Sequence, residues 1–366
     1  MCNRLRFSIR CANFAIVTKD ENEISMDVSG EMTMKDIARQ LGVSVATVSR
    51  ALKDSPSISR ERREMIQAFA REHNYTPNAI AEQLRNSRKM PVKVIGVIVP
   101  EFIHYYFACV LAGIEQEASA RGYRILVAAS HENEEREKRI CESFYKNKVC
   151  GIIASQAKET EDFSHFVKLD EQRVPLMFFD RICPAINANR VVVDDYMGTF
   201  KAVTHLIESG CRRIAFYGTT LNLEIGKNRY NGYKDALYQH GLTLDKALVR
   251  QCDVREQAEV ITPELLDLPE PPDAFFTVND DTAIGVLYTV KRRGLKIPDD
   301  VSICGFTNST YAQTCDPQLT SVEQNGLEVG REATECLIGL VEGTISCEHT
   351  VKRIVKTRLI VRETTR

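Results

Sequence analysis

No run in this chain approaches the ~18–20 consecutive apolar residues of a membrane span, so a helical membrane protein is not expected. The N-terminus has early arginines, but its apolar run is only Phe14 to Val17, short of the ~7–15 residues of an export-signal core. The expected location is the cytoplasm. The twelve cysteines form no C-x-x-C pair and no zinc-ligand spacing, and Cys109, Cys150 and Cys304 sit within apolar runs. That pattern reads as reduced, partly buried thiols with no metal site. No G-x-G-x-x-G follows a strand-like run, no phosphate-binding P-loop is present, and no G-x-S-x-G appears. His104, His131, His165 and His205 fall on unrelated segments, so a catalytic histidine has no evident partner. Neither an enzyme nor a cofactor is expected.

What the chain does have is an uneven distribution of charge. Its 366 residues are enough for two or three domains, and its net charge is −2. Residues 32–90 hold eleven Lys or Arg against six Asp or Glu, giving +5, while 1–31 stand at −1 and 91–366 at −6. A small basic piece on a larger acidic body points to a polyanion-binding head, although charge alone also fits a solvated helical surface. Residues 1–31 lack sustained periodicity and are left as an unassigned leader. Met32 opens the patterned region.

Residues 33–85 lack strand-like alternation and read as short helices. Thr33 caps a helix over 34–40, Ser44 caps one over 45–52, and Ser59 caps one over about 60–73. Met65, Ile66, Phe69 and Ala70 form the apolar stripe of the third. Gly42 and Val43 make the turn inside GVSVATVSRALK (42–53). On a wheel at ~100° per residue, Val45, Ala46, Ser49, Arg50 and Lys53 share an arc of about 140°. Val48 and Ala51 lie on the other side and pack on Ile37, Leu41 and Phe69. Small residues flanked by cations suit a helix entering the major groove, where bulk near base edges is unwelcome and Arg reaches guanine or phosphate. Residues 32–76 thus read as a helix-turn-helix headpiece, a pattern that many helical corners share. Pro77 suits the first turn of a further short helix, 77–85, followed by a basic linker to residue 92.

From residue 93 the pattern changes. Apolar runs at 94–100, 123–130, 149–155, 175–180, 191–195, 213–218, 274–280 and 301–306 alternate with helical patterns near 107–121, 132–147, 198–209, 228–240, 256–267 and 281–293. Strand then helix, repeated, gives an α/β body with two doubly wound parallel sheets. The first lobe is expected over about 93–193 plus 324–350, the second over about 194–323 plus the C-terminal segment. Ligands in such folds bind at the carboxyl ends of strands.

MKDIARQLGVSVATVSRALKDSPSISRERREMIQAFAREHNYTPNAIAEQLR resembles the DNA-binding headpiece of the lactose-repressor family of bacterial transcription regulators. The body resembles the same family through IGVIVP, PLMFFDR, VVVDD, RYNGY (229–233), TVNDDTAIG (277–285) and IPDDVSICGF, so the likeness spans about 33–362. The resemblance implies an all-α headpiece on a two-lobed body like a periplasmic binding protein. It also implies a homodimer on a pseudo-palindromic operator in double-stranded DNA. It places Ser44, Val45, Ala46, Thr47, Ser49 and Arg50 at the DNA, with Asn78, Leu84 and Arg85 on a hinge helix. Leu84 matches a leucine that wedges between base pairs in the minor groove.

For the body, the resemblance implies a small carbohydrate effector held by Tyr106, Phe107, Asp180, Arg181, Arg229, Asn279 and Asp280. Phe276 and Gln324 are weaker candidates. Aromatic faces cover a sugar's C–H surface, while carboxylate, amide and guanidinium groups take its hydroxyls. Each residue also has a purely structural reading: Tyr106 or Phe107 as core filler, Asp180–Arg181 as a local ion pair, Arg229 as a cap. One departure stands out. Thr307 and Asn308 follow Gly305-Phe306 where the family usually has a carboxylate. Neutral groups there suit a ligand with its own negative charge, or a different pose. The expected function is a sequence-specific DNA-binding transcription regulator, a repressor tuned by a sugar or sugar-derived effector. The alternative, an exported solute receptor, accounts for the body alone and leaves the basic headpiece unexplained.

Overall fold

The computed structural model describes residues 32–73, 75, 93–346 and 348–366. They fall into two compact units, one helical over 32–75 and one over 93–366. The leader 1–31, the expected hinge helix with Asn78, Leu84 and Arg85, and the linker lie outside the described residues.

The helical unit comprises α1 (Met34–Gln40), α2 (Val45–Leu52) and α3 (Arg60–Glu72). Thr33 starts α1 with a capping box. Its Oγ1 accepts from the Asp36 N–H at 3.3 Å, and its own N–H donates to Asp36 Oδ2 at 3.0 Å. The Thr33 hydroxyl also donates to that carboxylate at 2.6 Å, which holds Asp36 below the usual range. Ser44 Oγ accepts from the Thr47 N–H at 3.1 Å and starts α2. Ser59 occupies the equivalent place before α3, but its side chain makes no capping bond. Ile37, Ala38, Val48, Ala51, Ile66 and Ala70 form the core of this unit. Met65 departs from the expected stripe and is 46% exposed. Ile66 and Ala70 face inward one turn apart, which leaves Met65 about 100° out of line.

The body holds two six-stranded sheets. In the first lobe β1 (Val94–Val99), α4 (Tyr105–Ala120), β2 (Arg124–Ala129), α5 (Glu134–Lys146), β3 (Gly151–Ala154), α6 (Ser164–Glu171), β4 (Leu176–Phe179) and β5 (Asn189–Val193) follow in turn. The second lobe continues with α7 (Asp195–Glu208), β6 (Ile214–Gly218), α8 (Glu224–Gln239), β7 (Val249–Gln251), α9 (Arg255–Leu266), β8 (Ala274–Thr277), α10 (Asp280–Arg292), β9 (Ser302–Thr307), α11 (Thr310–Thr314) and β10 (Thr320–Glu323). The chain then returns to the first lobe as α12 (Gly326–Glu342) and β11 (Lys352–Val355), and crosses once more into β12 (Arg358–Ile360). The sheet orders are β11-β5-β4-β3-β1-β2 and β12-β10-β9-β8-β6-β7. Every pair is parallel except β10 with β12, which is antiparallel. Because Lys352–Val355 pairs alongside Asn189–Val193, the first lobe extends past residue 350.

Two expected strands stop early, with consequences for the site. β5 ends at Val193 and β8 at Thr277. Asp194 Oδ1 then accepts from the Met197 N–H at 3.0 Å, and Asn279 Oδ1 from the Thr282 N–H at 2.8 Å. The polar tails of VVVDD and TVND are therefore helix starts: Asp195 stands beyond the carboxyl end of β5 in the first sheet, and Asp280 beyond that of β8 in the second. In the first lobe, α4 and α12 pack backbone to backbone. A Cβ at Gly113 would strike the Leu327 carbonyl, and one at Gly330 the Val110 carbonyl.

Candidate functional site

In the helical unit, α2 is held from behind and at its end. Val48 and Ala51 are fully buried. Gln67 Nε2 donates to the Ala51 carbonyl at 2.9 Å, Arg63 Nη1 donates to the Ser55 carbonyl at 3.3 Å, and Arg63 Nε meets Asp54 Oδ1 at 2.7 Å. Asp54 takes a left-handed φ of 55°, so the turn leaving α2 is bracketed onto α3. Ser44, Ala46 and Arg50 are exposed on the opposite side. The Arg50 guanidinium makes no hydrogen bond or ion pair among the described residues, whereas Arg39, Arg60 and Arg63 are each paired with an acid. Val45 and Ser49 are half-buried, and Val45 leans on the core of the unit. The hydroxyls of Ser44 and Thr47 lie 2.8 Å apart at the cap. Of the six expected contact residues, Ser44, Ala46 and Arg50 are exposed, and the Ser44 hydroxyl is engaged at the cap.

In the body, a second set of groups converges where the sheets face each other. Arg229, buried on α8, donates from Nε to Asp195 Oδ1 at 2.8 Å and from Nη1 to the Val278 carbonyl at 2.5 Å. Its guanidinium lies 3.9 Å from the centre of the Phe306 ring. Burial pushes the Asp195 carboxyl up to about 6, against the pull of Arg229. Asp180, just past β4, is also buried, and burial raises it too, opposed by Arg181, Arg229 and His104. Its φ of 57° is left-handed, a conformation uncommon outside glycine and frequent at ligand sites. Tyr106 lies close enough to feel Asp180, Asp195 and Arg229, and its buried hydroxyl has no hydrogen-bond partner.

Arg181 turns mainly to Glu132, with Nη1 at 2.8 and 2.7 Å from the two carboxylate oxygens, and only secondarily to Asp180 at 3.9 Å. Its Nε is buried and makes no hydrogen bond, and its guanidinium sits 5.9 Å from the Phe107 ring centre. Phe107 in turn meets Phe179 edge-on. Ser130, Ser155 and Gln156 follow β2 and β3 at the same carboxyl edge. They are buried, and Ser130 Oγ, Ser155 Oγ and Gln156 Oε1 have no partner. Buried polar atoms are nearly always satisfied, so this group of orphans at one sheet edge leaves polar atoms available to a ligand or to water.

The remaining candidates brace the second lobe. Both oxygens of Asp280 are taken, by the Ser309 N–H at 2.6 Å and the Ser321 hydroxyl at 2.5 Å. Asn279 donates to the Asp253 carbonyl at 2.8 Å besides capping α10. Thr307, with φ 134°, donates to Gln324 Oε1 at 2.9 Å. Asn308 accepts from Arg362 at 2.6 Å and donates to Glu323 at 3.2 Å. Phe276 is core: it stacks on Phe216 and meets Phe306 edge-on. Sequence reasoning missed His104, Glu132, Asp195, Gln156 and Phe306. Only Asp195 had a visible signal, as the second acid of VVVDD. Among the described residues no group of side chains is placed to hold a metal ion, and no helix is long and apolar enough to cross a membrane.

A three-helix unit with an open cationic helix face, on a body of two doubly wound lobes with a polar cleft, defines a DNA-binding regulator of the helix-turn-helix class. Residues 33–78 match the bacterial regulatory proteins of the lacI family, and 203–365 match a periplasmic binding protein-like domain. The chain is 33% identical over 339 residues to the HTH-type transcriptional repressor CytR of Escherichia coli strain K12, covering 91% of this chain and 96% of that protein. It is 32% identical over 308 residues to catabolite control protein A of Priestia megaterium, covering 84% and 91%. Among solved structures, the transcriptional regulator CelR–cellobiose complex matches with a TM-score of 0.69 at 26% identity, covering 91% of this chain and 100% of that one. The lac repressor dimer bound to operator and the anti-inducer ONPF shares the fold, with a TM-score of 0.78 at 23% identity and coverage of 91% and 99%. The chain belongs to the lacI family of bacterial regulatory proteins and is a DNA-binding transcription regulator.

Proposed function

We propose that this chain acts in the cytoplasm, without catalysing a reaction, as a homodimeric repressor. Each protomer docks α2 in one major-groove half-site of a pseudo-palindromic operator. A small carbohydrate or sugar-derived effector between the lobes sets the affinity. The observation that carries the DNA reading is the open face of α2: Ala46 and unpaired Arg50 project from a helix whose back and C-terminal end are fixed by Val48, Ala51, Arg63 and Gln67. A preset helix presents its side chains to base edges with little ordering cost.

Three observations support the effector reading: the orphan polar atoms at the edge of the first sheet, the Asp180–Asp195–Arg229 cluster, and the aromatic side chains of Tyr106, Phe107 and Phe306. Charge favours a neutral ligand. Arg181 and Arg229 are outnumbered by Asp180, Asp195 and Glu132, and Glu132 already saturates much of Arg181. An anion such as a uronic acid would enter against that excess, whatever room Thr307 leaves. The CelR structure contains cellobiose, a neutral sugar, which agrees with this reading. Selection of bound DNA from a random pool, with and without neutral and acidic sugars, tests both halves. An inverted repeat weakened or strengthened by a neutral sugar is expected. Enrichment of no inverted repeat would remove the operator reading, and a response only to acidic sugars would remove the neutral-ligand one.

A further inference from the structure

The loop between β3 and α6 is fixed with unusual thoroughness. Glu137, on α5, is fully buried, and burying a carboxylate is costly unless donors surround it. Here the loop supplies two of them: the Ala157 N–H donates to Oε2 at 2.6 Å and the Thr160 hydroxyl to Oε1 at 2.8 Å. His165 Nε2 lies 3.0 Å from the same Oε1. Glu132 takes the Lys158 N–H at 2.8 Å while binding Arg181, and Glu134 takes the Glu161 and Asp162 N–H groups at 2.8 and 3.2 Å. Three carboxylates thus grip one short loop by its backbone.

From that fixed backbone the Lys158 side chain reaches across the cleft. Its Nζ lies 3.4 Å from Oδ2 of Asp253, which follows β7 in the second lobe. Asp253 is equally well held. Its Oδ2 accepts from the Thr219 hydroxyl at 2.8 Å, its N–H donates to Gln257 Oε1 at 3.1 Å, and its carbonyl accepts from Asn279 at 2.8 Å. The two side chains are only 29% and 15% exposed. An exposed ion pair usually gains little, because two long side chains must be ordered and water screens them. Both objections weaken here, since each end is anchored and partly sheltered.

We propose that Lys158–Asp253 is a latch that holds the two lobes closed over the cleft. This rests on reading the cleft as the effector site, and it makes closure partly a property of the protein rather than of the ligand alone. An effector entering a latched body meets a population already biased towards the closed state. The test uses the full chain. A water-soluble carbodiimide, which joins only amines and carboxylates already in contact, should yield a Lys158–Asp253 cross-linked peptide by mass spectrometry. The pair Lys146–Glu142, at 2.7 Å within α5, serves as the internal control.

In hydrogen exchange, Lys158→Met should speed the amides of Gln156 and Val278, one on each side of the cleft, by about fivefold, the ordinary factor for such a pair. Asp253→Asn should do the same, and it serves if the first variant folds poorly. Combining Lys158→Asp with Asp253→Lys should restore the slow exchange, which a merely local packing defect would not allow. A control cross-link without the Lys158–Asp253 product overturns the proposal, as does unchanged exchange at Val278 in both single variants. Neither readout requires a sugar or an operator, so failure of the effector reading would leave both intact.

Discussion

Asp195→Asn should flatten the pH dependence of the body's stability in one defined window. In the folded chain the Asp195 carboxyl sits at about 6, against an ordinary 3.8, because only 2% of its side chain reaches water and Asp180 stands nearby. Between those two values the folded protein holds a proton that the unfolded chain has released. Unfolding stability therefore falls as pH rises through the window, and the contribution is fully present only below about 4. A difference of roughly two pH units corresponds to about 3 kcal/mol. Asparagine cannot titrate, so the variant lacks this slope, although it still offers an amide oxygen to Arg229. The absolute offset between the two proteins mixes lost ion pairing with relieved desolvation. The slope difference removes that offset and reports Asp195 together with its electrostatic coupling to Asp180, while Asp280 and the acids held low on the surface titrate in both. Urea unfolding of wild type and variant at pH 4, 5, 6 and 7, followed by circular dichroism, measures it. Wild type should lose about 2.4 kcal/mol relative to the variant between pH 4 and 7, most of the full difference. Parallel stability curves would show that Asp195 ionises normally and that the buried cluster is not as drawn.

Arg50→Ala should weaken operator binding at least tenfold and lower its salt dependence, as read by fluorescence anisotropy; equal affinity at every salt concentration would remove Arg50 from the interface. Ser44→Ala should cost the helical unit about 1 kcal/mol through the lost cap, seen as a lower midpoint for the headpiece transition, and should reduce DNA affinity with it. Arg229→Ala should abolish the effector response and spare operator binding without effector. Losing the buried cation costs several kcal/mol of body stability, so the comparison belongs at low temperature, and an intact response would exclude Arg229 from the cleft.

Periodicity and caps made the architecture legible. Strand–helix alternation survives in short windows, and Thr33 and Ser44 announce helices by chemistry that acts within three residues. Boundaries were harder where a polar residue serves two elements: the acids of VVVDD extend a strand on paper but cap and open α7 in space. Three short elements carry no period long enough to detect, namely α6, β7 and α11. In the cleft, Tyr106, Asp180 and Arg229 are brought together, whereas Asn279, Asp280 and Asn308 spend their polar atoms on bracing. A motif shows which residues sit near a sheet edge. It does not show which atoms remain unpaired, because that depends on partners far away in sequence, such as Arg362 for Asn308 or Glu132 for Arg181. Gln156 and Phe306 are ordinary in sequence and acquire meaning only from their neighbours.

The same long-range pairing ties together the connections between the lobes. The chain passes between lobes after β5, after β10 and between β11 and β12. These crossings are bonded to one another. Thr357 Oγ1 donates to the Asp194 carbonyl at 3.3 Å, the Asp194 N–H donates to the Val355 carbonyl at 3.1 Å, and Asn325 Nδ2 donates to the Lys356 carbonyl at 2.9 Å. Asn325 itself is left-handed, with φ 52°. Three strands of chain tied together resist bending one at a time, so any reorientation of the lobes would pivot about them as a unit. Asp195 follows one crossing closely and Gln324 precedes another, so on the effector reading proposed above a ligand at the Arg229 cluster would act beside these crossings. Its leverage equals the difference in its affinity for the two orientations, and a typical ~1–3 kcal/mol would change affinity at a coupled site about 5–150-fold. Tight binding alone would change nothing. The contacts that matter are those that exist in only one orientation, so on the effector reading proposed above a ligand would have to engage both the orphan atoms on the first sheet and the Asp195–Arg229 pair of the second lobe.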